Sequence, residues 1–183
     1  SGIIYCLIRK STESITQKLQ KAGFKAKAYH AGMSSEERSK VQEEFIQWAS
    51  KNAEVISKEI NSKFDHVLDY SIESLKPFDE VLELFSGHLD EMTDYDYKDF
   101  VRQASFYIFE VARRNFGGTY YWYDHLNQPI LVTGIPDFEI SLLAFDKVEG
   151  RLKNGPDDNI PFFFKGYSER VIGAKSGEKA MIC

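Results

Sequence analysis

Two rhythms of apolar and polar residues run along this chain, and the change from one to the other divides it. From Gly2 to Ile8 a short unbroken apolar run, GIIYCLI, predicts a strand covered on both faces. Ser11 or Thr12 then caps a predicted helix that carries Ile15 and Leu19 on one side and stops at Gly23. Ala26 to His30 predicts a second strand. Ser34 with Glu37 forms a capping box, opening a helix through Val41 and Phe45. The order is β-α-β-α, the unit from which parallel sheets are built.

Beyond Gln47 the pattern becomes mainly helical. Trp48, Val55, Ile56, Ile60 and Phe64 keep helical spacing, so the helix begun at Ser35 either runs on or breaks near Trp48, and HVLDYS then interrupts it. Leu75, Phe78, Val81, Leu82 and Phe85 predict another helix, with Pro77 tolerable near its first turn and Gly87 at its end. The acidic stretch HLDEMTDYDYKD precedes the longest helical pattern, Phe100, Val101, Ala104, Tyr107, Ile108, Val111 and Ala112, which Gly117-Gly118 stops. TYYWYD and PILVTG predict a hairpin turned by HLNQ, and FEIS adds a third strand. A helix through Leu142, Phe145, Val148 and Leu152 ends at Asn154 to Pro156. A last helix includes Phe163, Phe164, Tyr167 and Val171, and GAKSGEKAMIC reads as a frayed tail. The fold class is therefore α+β: a β-α-β-α segment, residues 1–47, then a helix-rich domain with a small antiparallel sheet, residues 48–183.

Charge sharpens the division. Residues 1–47 hold eight Lys and Arg against five Glu, a formal +3, while the rest holds fifteen basic against twenty-three acidic residues, a formal −8. An acidic body repels a phosphate backbone, so any nucleic-acid contact belongs to the first segment. At 183 residues and 43% hydrophobic, the chain has material for a real core. No run approaches the ~20 apolar residues of a membrane span, and the first residues lack a signal-peptide layout, so a soluble, cytoplasmic protein is expected. Cys6 in the first strand and Cys183 at the end form a poor disulfide framework. The start at Ser1 rather than Met suggests processing or a fragment boundary.

Candidate chemistry is sparse. No Walker A pattern occurs among the scattered glycines, so the chain lacks the usual phosphate cradle of a nucleotide hydrolase. His30, His66, His88 and His125 stand apart without ligand spacing, so neither metal nor other cofactor is expected. The aromatic run from Tyr120 to Asp124 alternates on a strand, placing Tyr121 and Tyr123 on one face and Tyr120, Trp122 and Asp124 on the other. Ordinary sheet packing accounts for it; the functional alternative is a pocket or interface built from Glu110, Arg114, Trp122 and Asp124. Glu110 and Arg114, four residues apart on the long helix, predict an ion pair, and a central position would bury one of the charges.

The segment SGIIYCLIRKSTESITQKLQKAGFKAKAYHAGMSSEERSKVQEEF resembles the start of the second RecA-like lobe of RecQ-family DNA helicases, over about a quarter of the chain. GIIYC, LQKAG, AYHAG and ERSKVQEEF stand in the family's order and spacing. The resemblance implies that the loop after the first strand touches DNA backbone, leaving Arg9, Lys10 and Ser11 as contacts beside Lys25 and Lys27. Ile8 stands where the family has a small hydroxyl residue, which removes one phosphate hydrogen bond. AFGMG-type and GRAGRDG-type segments do not follow, so the resemblance implies a piece of the fold without the unwinding activity. Leu68 to Leu75, Gly117 to Trp122 and Phe138 to Asp158 resemble a family of small bacterial proteins, some of the immunity type, which implies binding of a protein partner by surface complementarity. The expectation is a non-catalytic bacterial protein that binds a protein partner and carries an incomplete helicase-like segment, joined naturally or artificially. The alternative is an accessory nucleic-acid-binding protein, or a fragment derived from a RecQ-type helicase. Oligomeric state is not legible.

Overall fold

Six helices and a four-stranded sheet make up the computed structural model, which describes residues 9–30, 32–65 and 67–183. The chain divides into two compact units, Ser1–Gln47 and Trp48–Cys183. The predicted strand Gly2 to Ile8, with Cys6 and Ile8, lies outside the described residues.

In the first unit, α1 spans Arg9–Lys21. It begins before the expected cap, so Ser11 and Thr12 lie inside its first turn. Arg9 and Lys10 are good helix formers and extend it backwards. Gly23, at φ 84°, closes it: its N–H donates to the Gln20 carbonyl and that of Phe24 to the Leu19 carbonyl, each over 3.0 Å. This reciprocal pair needs a left-handed residue, which glycine supplies without steric cost. Residues 24–30 are irregular, where a strand over Ala26–His30 was expected. Strands exist through ladders with neighbours, and among the described residues no strand forms a ladder with this stretch. The capping box is present: Ser34 Oγ accepts the Glu37 N–H at 3.2 Å, and Glu37 Oε2 accepts the Ser34 N–H at 2.9 Å.

That box opens α2, Ser35–Lys63, which runs through Trp48 without a break. At 29 residues it is longer than α4, Asp94–Phe116, whose 23 residues include the pattern that looks longest in the sequence. In the second unit, α3 (Leu75–Ser86) follows an irregular segment, with Pro77 in its first turn. Thr93 caps α4, accepting the Asp96 N–H at 3.1 Å.

From Phe106 to Ala112 every residue of α4 is buried, so this helix is wrapped on all sides. The edge of the Trp48 ring meets Phe106 at 5.0 Å between centroids, and Phe109 meets Tyr120 at 5.7 Å. These contacts join α4 to α2 on one flank and to the sheet on the other.

The sheet runs β1 (Thr119–Tyr123), β2 (Gln128–Thr133), β3 (Glu139–Leu142) and β4 (Lys179–Ile182), in that spatial order. The first two pairings are antiparallel, as the hairpin pattern predicts. The third, β3 with β4, is parallel, so the sheet is mixed rather than antiparallel and the expected frayed tail is an ordered edge strand. Every residue of β2 is buried, as befits a strand covered on both faces. Gly134, at φ 100°, lets β2 turn tightly, since a Cβ there would lie 2.1 Å from the Phe138 ring. Leu142 belongs to β3, and α5 starts three residues later, at Phe145–Asn154. α6 covers Ile160–Gly173, with Asn159 capping it. The architecture is α+β.

Candidate functional site

Two groups of residues answer to the sites expected from sequence, and each unit holds one. In the first unit Arg9 opens α1 and Lys10 follows it, exposed. At helical spacing Lys10, Ser14, Gln17 and Lys21 form one exposed row, with Lys18 beside it, while Ile15 and Leu19 turn the other way and are half-buried. Ser11 is half-buried. Lys18 and Lys21 also stand in the last turn, where cations complement the helix dipole. Lys25 is exposed on the irregular stretch; Lys27, equally exposed, is ion-paired with Glu44 of α2. The structure thus places Lys10 and the α1 lysines on one face and engages Lys27 with a carboxylate. His30 Nε2 lies 3.3 Å from a Glu13 carboxylate oxygen. Sequence reading missed both of these pairs, because their partners are distant along the chain.

In the second unit Glu110 is fully buried near the end of α4. Arg113 grips it with two bonds, Nε to Oε1 at 2.7 Å and Nη2 to Oε2 at 2.9 Å. Arg114 Nε adds a longer bond to Oε2 at 3.3 Å, Ser50 Oγ of α2 donates at 3.0 Å, and the Tyr120 hydroxyl of β1 at 3.3 Å. Burial pushes this carboxyl's pKa up, but the Arg113 hydrogen bonds and charge, with Ser50 and Arg114, outweigh it and hold the group below its ordinary value. Burial and the neighbouring Glu110 charge push the Tyr120 hydroxyl well above its ordinary range. The Arg114 guanidinium carbon sits 3.5 Å from the centre of the Tyr70 ring. Tyr70 is held at φ 66°, its N–H donating to the Tyr107 hydroxyl at 3.4 Å and its carbonyl accepting from Asn115 at 3.0 Å. With both its oxygens engaged, Glu110 is set up to clamp α4 to α2 and β1. A general base would need a free lone pair facing a substrate.

The ion pair expected between Glu110 and Arg114 is therefore present, and the buried partner is the acid. Trp122 and Asp124 are absent from the contacts around Glu110. Trp122 is half-buried with its indole N–H unpartnered, and Asp124 is exposed in the β1–β2 turn. A second buried ion pair has no counterpart among the expected sites: Arg151 of α5 meets both oxygens of Asp79 on α3, at 2.9 and 3.1 Å, and Asp79 also accepts the Ile160 N–H at 2.9 Å. The sequence signal was an arginine at helical spacing from Val148, on the buried side of α5. A groove of about 250 Å³ lies elsewhere, between α2, α3 and α4, and none of Glu110, Arg114, Trp122 and Asp124 lines it. Among the described residues no cluster of three His, Cys, Asp or Glu could hold a metal, and no helix is long and apolar enough to cross a membrane.

Comparison with known proteins gives short matches to RecQ-type helicases. The chain is 45% identical over 56 residues to the ATP-dependent DNA helicase Q1 of Rattus norvegicus, covering 31% of this chain and 8% of that protein. It is 48% identical over 46 residues to the RecQ-like DNA helicase blm-1 of Caenorhabditis elegans, 25% of this chain and 5% of the relative. With the ATP-dependent DNA helicase RecQ of Haemophilus influenzae the identity is 49% over 45 residues, 25% of this chain and 7% of the relative. The chain thus spans less than a tenth of the length of these relatives, and a segment of it is similar to RecQ-family DNA helicases. No family model matches the chain, and no solved structure matches it.

Proposed function

We propose that the first unit is a fragment derived from a RecQ-type helicase that serves as an accessory nucleic-acid contact, with no unwinding activity of its own. The single observation that carries this reading is the run of matches to RecQ-type helicases at nearly half identity. Two further features support it. Positive charge concentrates in residues 1–47 of an otherwise acidic chain, and the exposed row on α1 presents Lys10 and Lys21, flanked by Lys18 on one side and by Glu13, turned to His30, on the other. Phosphate attraction to such side chains supplies non-specific affinity independent of base sequence. Arg9, Lys10 and Ser11 at the start of α1 form the contact, with the exposed Lys25, beyond the other end of the helix, adding charge. Lys27 contributes less, because Glu44 neutralises it. No Walker A pattern is present in these 183 residues to couple the contact to ATP. The protein-binding, immunity-type reading of residues 48–183 draws no support from these relatives.

The test is fluorescence anisotropy on labelled single-stranded and duplex DNA across a salt series. Binding is expected to weaken steeply with salt, and the double variant R9A/K10A to lower the slope of log K against log salt by roughly two, one for each phosphate no longer neutralised. Retained affinity and an unchanged slope in that variant would sink the proposal.

A further inference from the structure

The second unit carries a groove that nothing above accounts for. Its floor is Ile56 and Ile60 of α2, continued by Phe64 just past the helix end, facing Phe85 at the end of α3 and Phe100 on α4. The Phe85 and Phe100 rings stack at 4.5 Å between centroids, so this floor is preformed, and Met92 supplies an adaptable wall. At about 250 Å³ it is smaller than the usual site for a drug-sized ligand and suits one or two side chains.

The rim is acidic. Glu59, Asp96 and Asp99 line it against Lys63 alone, and Lys63 is engaged by Glu59 at 2.5 Å. Asp99 is paired with Arg102, whereas Asp96 takes a hydrogen bond at 2.6 Å from the neutral Thr93 hydroxyl and keeps its charge uncompensated by any described ion pair. The adjoining turn adds Asp90, while Glu91 lies against His88 at 3.1 Å and Asp94 is paired with Lys98 at 2.7 Å, and Tyr95 next to them is 76% exposed. An apolar slot framed by carboxylates is complementary to an apolar side chain flanked by cations, and complementary charge sets which partner docks and how fast.

We infer that this groove docks a basic amphipathic peptide segment of a partner protein, with an aliphatic or aromatic anchor on the Phe85–Phe100 floor and Lys or Arg over Glu59 and Asp96. Helix-in-groove recognition of this kind takes anchors one helical turn apart. The inference stands apart from the nucleic-acid reading of the first unit, because it rests on no residue before Ile56.

The experiment uses the full chain and a synthetic peptide of about a dozen residues with leucines on one helical face and lysines elsewhere. Controls are a permuted peptide of the same composition without the apolar face, and a copy with Glu for Lys. Anisotropy is expected to give binding in the range of tens of micromolar for the first peptide, weakening with added salt, and little for either control. The rim variant E59Q/D96N is expected to weaken it at least about fivefold and M92A to weaken it too, with circular dichroism unchanged. Both changes lie at half-buried or exposed positions, so the fold tolerates them. Amide shifts on peptide addition should centre on Phe64, Met92 and Phe100. The inference is overturned by equal binding of the permuted peptide, by affinity indifferent to both variants, by shifts mapping elsewhere, or by a self-associated species in sedimentation that M92A dissolves, which would assign the groove to a second copy of this chain.

Discussion

Glu110 illustrates how much a single buried charge can organise. It holds two arginines, a serine and a tyrosine around itself, so removing it takes the carboxylate away from the buried Tyr120 hydroxyl as well as from the guanidinium of Arg113. Glu110→Ala is expected to cost about 3 kcal/mol in urea unfolding, the order seen when one partner of a buried pair is removed. The pH dependence has a definite sign. The folded pKa lies below the ordinary value of 4.5, so the stabilisation is fully present above that value and is lost as pH falls through the folded pKa. Wild type should therefore lose stability faster than Glu110→Gln does as pH falls below about 5. Two fully buried tyrosines act at the other end of the scale. Burial pushes Tyr107 and Tyr167 up to about 12, against hydrogen bonds to Ser74 and Thr133 that pull the other way. A group harder to ionise when folded gives stability that is complete below its unfolded pKa near 10 and lost as pH rises towards 12. Each tyrosine accounts for up to about 3 kcal/mol over that window. Thermal melts at increasing alkalinity check this: Tyr167→Phe should flatten the loss of stability above about pH 10, and a loss as steep as that of the wild type would contradict it.

Among the elements, β4 is the one whose role the chain order conceals. Its residues alternate exposed and half-buried, it lies at the sheet edge, and two helices, α5 and α6, separate it from its partner β3. Yet Glu178 and Ile182 carbonyls accept the Glu139 and Leu143 N–H groups at 2.8 and 2.9 Å, satisfying donors at both ends of β3. Truncation after Gly177 should lower the melting temperature by at least about 5 °C, and should favour aggregation, because β3 becomes an unprotected edge. An unchanged melting temperature would show that the tail is dispensable. The helices, by contrast, declare themselves. The Ser34–Glu37 box, Gly23, Thr93 and Gly117 all act within a turn of their own positions, so local chemistry places those ends. The strand expected over Ala26–His30 failed for the opposite reason, since its apolar alternation is local but its ladder depends on a partner strand.

At the scale of the whole molecule the two units differ in kind. The second buries aromatic residues in quantity around α4, whereas every described residue of the first is exposed or half-buried, Phe24 and Tyr29 included. Stability should be distributed accordingly. Hydrogen exchange followed by mass spectrometry is expected to show amides of Lys10–Gln47 exchanging orders of magnitude faster than those of Val101–Ala112. Comparable protection in both would mean that the first unit is covered in solution. The charge contrast between the units is visible in the sequence and supports the nucleic-acid reading of the first. The groove in the second could not be seen there, because Ile60, Phe85 and Phe100 come from three different helices and no sequence spacing connects them.

The sequence alone determined where most helices lie, though not the unbroken run of α2 through Trp48 or the start of α5, together with the hairpin, the capping box, the charge division and the resemblance to RecQ-type helicases. Each of these depends on neighbours within a turn or two, or on residue identity itself, so a linear pattern contains it. Tertiary structure decided the parallel pairing of β4, the burial of Glu110 by Ser50 and Tyr120, the Asp79–Arg151 pair and the groove. In all four at least one partner lies far along the chain or on another element, and only the packing of the fold brings them within reach.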